Sequence, residues 1–103
     1  MRKHLPNRRP SETFEFEHEG HRYIGSVSFD RRGQPFEVFL TTGKPGSGVE
    51  TVGRDCAVAV SLALQHGTPM GLLQHALTRL DDGSAAGPMG KLLDMVYRQA
   101  TGA

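Results

Sequence analysis

Cysteine is almost absent from this chain, with Cys56 alone among 103 residues. One thiol excludes an intramolecular disulfide, a Cys-x-x-Cys redox pair and a cysteine-rich zinc site built from a single chain, and intracellular residence is the simplest expectation. Long apolar runs are missing as well. No stretch approaches the roughly 20 apolar residues of a membrane-spanning helix, and the N-terminus carries no apolar core of the secretory-signal kind. The chain therefore reads as soluble and cytoplasmic, with no membrane partner. An excess of charge of one sign is also lacking: the formal net charge of +1 argues against a strongly basic nucleic-acid binder overall. The one notable block of charge is Arg2, Lys3, His4, Arg8 and Arg9 in the first ten residues.

What is present fits one compact domain. A length of 103 residues buries one core and leaves no room for a second, and thirteen glycines with six prolines imply many tight turns. Residues 1–11 hold two prolines and several basic residues with little apolar material, which reads as a basic extended arm. The remainder, 12–100, reads as a single domain.

That domain begins with strand periodicity. Thr13 to His18 alternates apolar and polar, and His21 to Phe29 continues after a turn at Glu19-Gly20. Asp30 to Pro35 supplies a second turn, and Phe36 to Thr41 a third strand rich in β-formers. Three antiparallel strands in a meander follow, with Phe14, Phe16, Tyr23, Val27, Phe29, Phe36, Val38 and Leu40 facing inward. The second half switches to helical spacing. A first helix is expected from about Val49 to His66, stopped by Gly67. A second opens with Thr68 as N-cap and Pro69 in the first helical position and runs through Leu80. A third spans Pro88 to about Ala100, with Met89, Leu92, Leu93 and Val96 on one face. Strands first and helices last predict an α+β fold with the helices on one face of the sheet. The first helix is apolar on nearly every side from Cys56 to Leu64, Ser61 excepted, and so is expected to be wrapped by other elements.

The glycine-rich loop between the third strand and the first helix is the main candidate for chemistry. Gly43, Lys44, Gly46, Ser47 and Gly48 precede a helix start, where free N–H groups attract anions and a lysine adds charge. The order of residues fits neither G-x-x-x-x-G-K-[ST] nor G-x-G-x-x-G, so a purely structural connection stands beside a phosphate site. Arg54 and Asp55 lie where the helix turns apolar, and at least one is expected to be partly buried and therefore paired. Asp55 could tie down Arg8 or Arg9. Glu50, in the first turn, suits the helix dipole, and His66 suits its C-terminal end. His18 and His21 are three apart across a turn, unlike the H-E-x-x-H spacing of a metal site, and no metal or cofactor is expected. Cys56, among small apolar residues, reads as a buried and inert thiol, and no serine has a nucleophile's context. A nucleic-acid role would use the arm, which has charge but no aromatic residue to stack on bases.

The run Pro35-Phe36-Glu37-Val38-Phe39-Leu40-Thr41-Thr42-Gly43-Lys44-Pro45-Gly46-Ser47 resembles the TSCPD domain: P-F-E-V-F, a short apolar continuation, then G-K-x-G. The resemblance continues through the apolar helix Asp55 to Leu64, the Gly67-Thr68-Pro69 break and Leu72-Leu73, covering roughly Phe14 to Leu80. The leading Leu5-Pro6-Asn7-Arg8-Arg9 with Glu12-Thr13-Phe14 is similar to stand-alone members. The family occurs at the C-terminal end of many adenosylcobalamin-dependent ribonucleotide reductases and as small separate proteins. It implies a reductase setting but not reductase chemistry, which resides in a separate barrel with radical-forming and redox cysteines. This chain also lacks the cysteine-bearing segments of several reductase-linked members. The expectation is a non-catalytic accessory or binding module in deoxyribonucleotide metabolism, acting by docking to a ribonucleotide reductase subunit or by binding a nucleotide at Lys44 and Gly46 to Gly48 with Arg8 and Arg9 closing over it. The alternative is a small nucleic-acid-associated protein using Arg2, Lys3, Arg8 and Arg9. A three-stranded sheet with open edges also favours a homodimer.

Overall fold

A computed structural model describes residues 11–43 and 46–101. The arm up to Pro10, including Arg8 and Arg9, and the loop residues Lys44 and Pro45 lie outside the described residues. The fold is α+β: β1 (Ser11–His18), β2 (His21–Phe29) and β3 (Pro35–Thr42) form one antiparallel sheet in the order β1-β2-β3, followed by α1 (Gly48–Gln65), α2 (Met70–Ala76) and α3 (Pro88–Thr101). β1 begins at Ser11, the residue assigned above to the end of the arm.

Local chemistry explains the meander. Glu19 and Gly20 both take positive φ, 51° and 81°, the two-residue turn whose twist matches antiparallel strands. In the second turn Asp30 Oδ1 accepts from the N–H groups of Arg32 and Gln34, while Gly33 at φ 79° donates to the Asp30 carbonyl. The core forms on the sheet face shared by Tyr23, Val27, Phe36, Val38 and Leu40, all buried, with Phe14, Phe16 and Phe29 half-buried beside them. From the helices come Ala57, Val60, Leu64, Met89, Leu92, Leu93 and Val96. Gly25 in the central strand leaves the gap into which α3 lowers Leu92: a Cβ there would stand 2.8 Å from Leu92 Cδ1.

Two expectations about the helices are corrected. α1 is not wrapped: Val52 is 69% exposed, Val58 58% and Leu62 47%. Ser61, expected on a polar face, is buried, because its Oγ accepts from the Val38 N–H and donates to the Val38 carbonyl, both at 3.0 Å. Val38 turns these groups away from β2, so α1 is satisfying the free edge of β3. Gln65 Nε2 does the same for the Phe36 carbonyl at 3.3 Å. A helix apolar all round carries no sequence signal for which side meets the sheet, and here hydrogen bonding chooses the side.

α2 ends at Ala76, short of Leu80, and its N-cap is Pro69, one residue later than expected and without a side-chain cap. What cuts it short is Arg79. Its guanidinium reaches back to the Gln74 carbonyl at 2.8 Å and makes two 2.7 Å bonds to the Asp94 carboxylate on α3, which also accepts from Gln74 Nε2. Residues 78–86 then fold on themselves, with Leu80 N–H to the Ser84 carbonyl and Ala86 N–H to the Thr78 carbonyl. At the end of α1 the expected stop holds: Gly67 sits at φ 96°, and Thr68 N–H bonds to the Ala63 carbonyl.

Replacing Ser61 by Ala leaves the Val38 N–H and carbonyl buried without partners. It should cost about 1–3 kcal/mol, read as a lower midpoint in urea unfolding with an unchanged m-value. The Arg79 hydrogen bonds, opposed by partial desolvation, hold the Asp94 carboxyl below its ordinary range. A depressed native carboxylate contributes stability that is present above the unfolded-state value of about 3.9 and is lost as pH falls through the native one. Asp94→Asn should therefore be less stable than the parent at pH 7, with the gap closing below about pH 4. A gap that stays constant down to strongly acidic pH would show that ionisation of Asp94 contributes nothing.

Candidate functional site

The loop joining β3 to α1 presents the predicted phosphate residues, and the structure shows what their polar groups do. Ser47 is the N-cap of α1, its Oγ accepting from Glu50 N–H at 3.1 Å. Glu50 is the buried charge of this region, only 6% exposed. Its Oε1 accepts from Gly46 N–H at 3.3 Å, and its Oε2 accepts from Thr41 Oγ1 at 3.1 Å and from an Arg54 guanidinium nitrogen at 3.4 Å. A carboxylate of the chain itself thus lies over the positive end of α1, where an external phosphate would sit. The signal was present in the sequence as Ser47-x-x-Glu50, a serine followed three residues later by glutamate at a helix start.

Arg54 and Asp55 are both exposed, so the expectation that one of them is partly buried is corrected. The buried partner is Glu50, one turn earlier, and Arg54 reaches it from the solvent side. The structure brings Gly46, Ser47, Glu50 and Arg54 together. It leaves Asp55 apart from them, and Gly43 and Gly48 are exposed with open space where a Cβ would stand.

Other polar side chains close structural hydrogen bonds. The His18 imidazole donates to the Ala86 carbonyl at 2.9 Å, Lys91 donates to the Glu17 carbonyl at 2.8 Å, and His66 closes onto the Leu62 carbonyl at 2.8 Å at the end of α1. Among the described residues no group of three or more His, Cys, Asp or Glu could hold a metal ion, and no helix is long and apolar enough to cross a membrane. Cys56 is half-buried, and burial pushes its thiol upward, toward the protonated and unreactive form.

Two concave surfaces flank α1, and composition gave no hint of either. One is a groove of about 240 Å³ between β3 and α1, lined by Phe39, Val58 and Leu62 with Glu37 and Arg54. Phe39 is 46% exposed, and Ile24, which pairs with Thr41 and so lies diagonal to Phe39 on the same outer face of the sheet, is 45% exposed. The other is a cleft of about 440 Å³ on the opposite flank of α1, closed by the segments that precede α3. Helical geometry separates the two: with Ala57, Ser61 and Leu64 against the sheet, positions 58 and 62 turn to one flank and 49, 52 and 56 to the other.

Removing the carboxylate tests the junction directly. Glu50→Ala should lose about 1–3 kcal/mol of stability, because Gly46 N–H loses its acceptor and Thr41 Oγ1 keeps only the longer bond to the Thr42 carbonyl. Glu50→Gln should fall between the two, since it keeps one carbonyl acceptor. An alanine variant as stable as the parent would mean that the contacts of Glu50 carry no net weight.

Comparison with known proteins places this arrangement. Over 69 residues, or 67% of the chain, the sequence is 35% identical to a vitamin B12-dependent ribonucleotide reductase of Rhodopirellula baltica. The matched segment is only 7% of that protein, so the chain corresponds to a small part of its relative. No solved structure matches the chain. The family described as the TSCPD domain matches residues 2–98, nearly the whole length. The chain belongs to the TSCPD domain family.

Proposed function

We propose that this chain is a non-catalytic accessory module that docks onto a vitamin B12-dependent ribonucleotide reductase and so acts in deoxyribonucleotide metabolism. The observation that carries the reading is the uncovered apolar band of Ile24, Phe39, Val58 and Leu62, all between 45% and 58% exposed, on a chain related to a segment of a much longer reductase. Clustered exposed apolar side chains beside charges of both signs, here Glu37 and Arg54, suit association with another protein surface. In the reductase relative the corresponding segment is covalently joined to the remainder of the enzyme.

The nucleotide-binding form of the reading uses Gly43, Lys44, Gly46, Ser47 and Gly48. It must bring a phosphate against the buried Glu50 carboxylate, where like charges repel, and Ser47 Oγ is already engaged as the cap of α1. Docking is therefore the form adopted. The nucleic-acid alternative depends on Arg2, Lys3, Arg8 and Arg9, which lie outside the described residues, and the homodimer expectation depends on the open sheet edges, of which Ser61 and Gln65 occupy part of that of β3.

The test is a binding titration between the full chain and the purified vitamin B12-dependent reductase of the same organism. Micromolar or tighter association is expected, weakened at least tenfold by Val58→Glu or Leu62→Glu. Both positions are solvent-exposed, so the fold should survive as judged by circular dichroism. No association with the reductase would overturn the reading. Calorimetric titration with ATP and dATP should give no saturable heat, whereas binding abolished by Lys44→Ala would replace docking with nucleotide sensing. Sedimentation of the chain alone should show a monomer at micromolar concentration, and a dimer broken by Val58→Glu would assign the band to a second copy instead.

A further inference from the structure

The direction of α1 along β3 fixes where each residue of the docking groove falls. Glu50 bonds to Thr41, a Cβ on Gly53 would meet Leu40 at 3.6 Å, Ser61 bonds to Val38 and Gln65 to Phe36. The helix therefore runs antiparallel to the strand, with Arg54 at the Leu40 end, Val58 level with Phe39, and Leu62 toward Glu37. Arg54, Val58 and Leu62 follow one another at four-residue spacing along one flank, which spans about 12 Å from first to last. The groove thus carries a guanidinium at one end, Phe39 and Val58 in the middle, and Leu62 with a carboxylate at the other.

Both ends can still act on a partner. Arg54 is exposed and gives Nη1 to Glu50 at 3.4 Å, but a guanidinium holds further N–H donors in a planar fork that suits a second carboxylate. Glu37 keeps a contact of its own within the chain, and its charge stands against any acid brought to that end. The volume of the groove, about 240 Å³, falls short of the roughly 300 Å³ at which small-molecule sites begin. It suits one large side chain presented by another protein, the kind of anchor around which interfaces are built.

We propose that the groove selects its reductase segment by polarity. One large apolar side chain enters between Phe39, Val58 and Leu62, a neighbouring carboxylate pairs with the Arg54 guanidinium, and a basic group about 12 Å away along the segment faces Glu37. The inference rests on the docking reading and gives that surface its partner's chemistry and direction. In the reverse orientation the partner's acid would meet Glu37 and its base would meet Arg54, and like charges set against each other across an interface cost affinity.

The experiment uses the full chain and the purified vitamin B12-dependent reductase. Arg54→Gln should weaken association about three- to tenfold, by less at high salt, while Arg54→Lys retains most of the affinity. Glu37→Gln should weaken it about two- to threefold. Carbodiimide coupling, which joins carboxylates to amines directly, should link Glu37 to a lysine of the reductase. In Arg54→Lys it should also link the new amine at position 54 to an aspartate or glutamate of the reductase. The two reductase residues should lie on one segment, about eight positions apart in a helix or four in an extended strand. Unchanged affinity in both Arg54→Gln and Glu37→Gln overturns the inference, as do couplings to unconnected parts of the reductase. Coupling between two copies of this chain would assign the groove to a homodimer and overturn it too. Should Arg54→Gln fail to fold by circular dichroism, Glu37→Gln and the coupling decide. Failure of the parent chain to bind the reductase overturns the docking reading itself. Binding that Val58→Glu breaks and neither charge variant weakens leaves docking in place and removes only its polarity.

Discussion

The hydroxyl of Ser61 answers both the N–H and the carbonyl of Val38, and that double bond-pair sets the rotation of α1 about its own axis. With position 61 fixed against the edge of β3, helical geometry leaves little else free. Glu50, Gly53, Ala57, Val60 and Leu64 must turn toward the sheet and are buried, while Val58 and Leu62 must turn to one flank and Val52 and Cys56 to the other. The same contact removes a hazard. A bare strand edge invites further strands, and Ser61 with Gln65 occupies the outward backbone groups of Val38 and Phe36. One hydrogen-bonding serine thus governs core packing, edge protection and the placing of both concave surfaces.

The junction of β3 and α1 shows how a loop of apparent binding chemistry can be satisfied from within. Glycine-rich sequence, a lysine and a helix start together suggest an anion, and an anion is indeed there, supplied by Glu50. Its burial is tolerable because each carboxylate oxygen accepts from a neighbouring donor and a cation stands nearby. The consequence reaches the function. The Gly46 N–H and the Ser47 hydroxyl, two of the groups expected to hold a phosphate, hold the fold instead, and apolar side chains line much of the two concave surfaces that flank α1.

The second half of the chain is shaped by a different interaction. Arg79 and Asp94 lie 15 residues apart in sequence and meet side by side, each about three-quarters buried, with Gln74 completing the cluster. Their pairing ends α2, turns residues 78–86 back on themselves, and so positions Leu77, Gly87 and Pro88 opposite α1. Those residues form the far side of the cleft. The cleft is thus the gap left between a helix oriented by Ser61 and a turn anchored by Arg79.

The sequence by itself determined the element types, their order and the family. Period-two alternation in Thr13 to His18, turn residues at Glu19-Gly20 and Asp30 to Pro35, and the stop at Gly67 are local properties of the chain, and local steric rules suffice to read them. The run Pro35 to Ser47 likewise carried the family resemblance without any structure. Tertiary structure alone decided which side of α1 faces the sheet, because a helix apolar from Cys56 to Leu64 has no amphipathic phase to read. It decided where α2 ends, because the competing cap comes from a side chain paired across 15 residues. It decided that Glu50, an unexceptional acid in a first helical turn, is the buried charge, while Arg54 and Asp55 stay in solvent. It also decided that Gly25 is a slot for Leu92. Each of these depends on which residues distant in the chain meet in space, and periodicity along a chain does not encode those meetings.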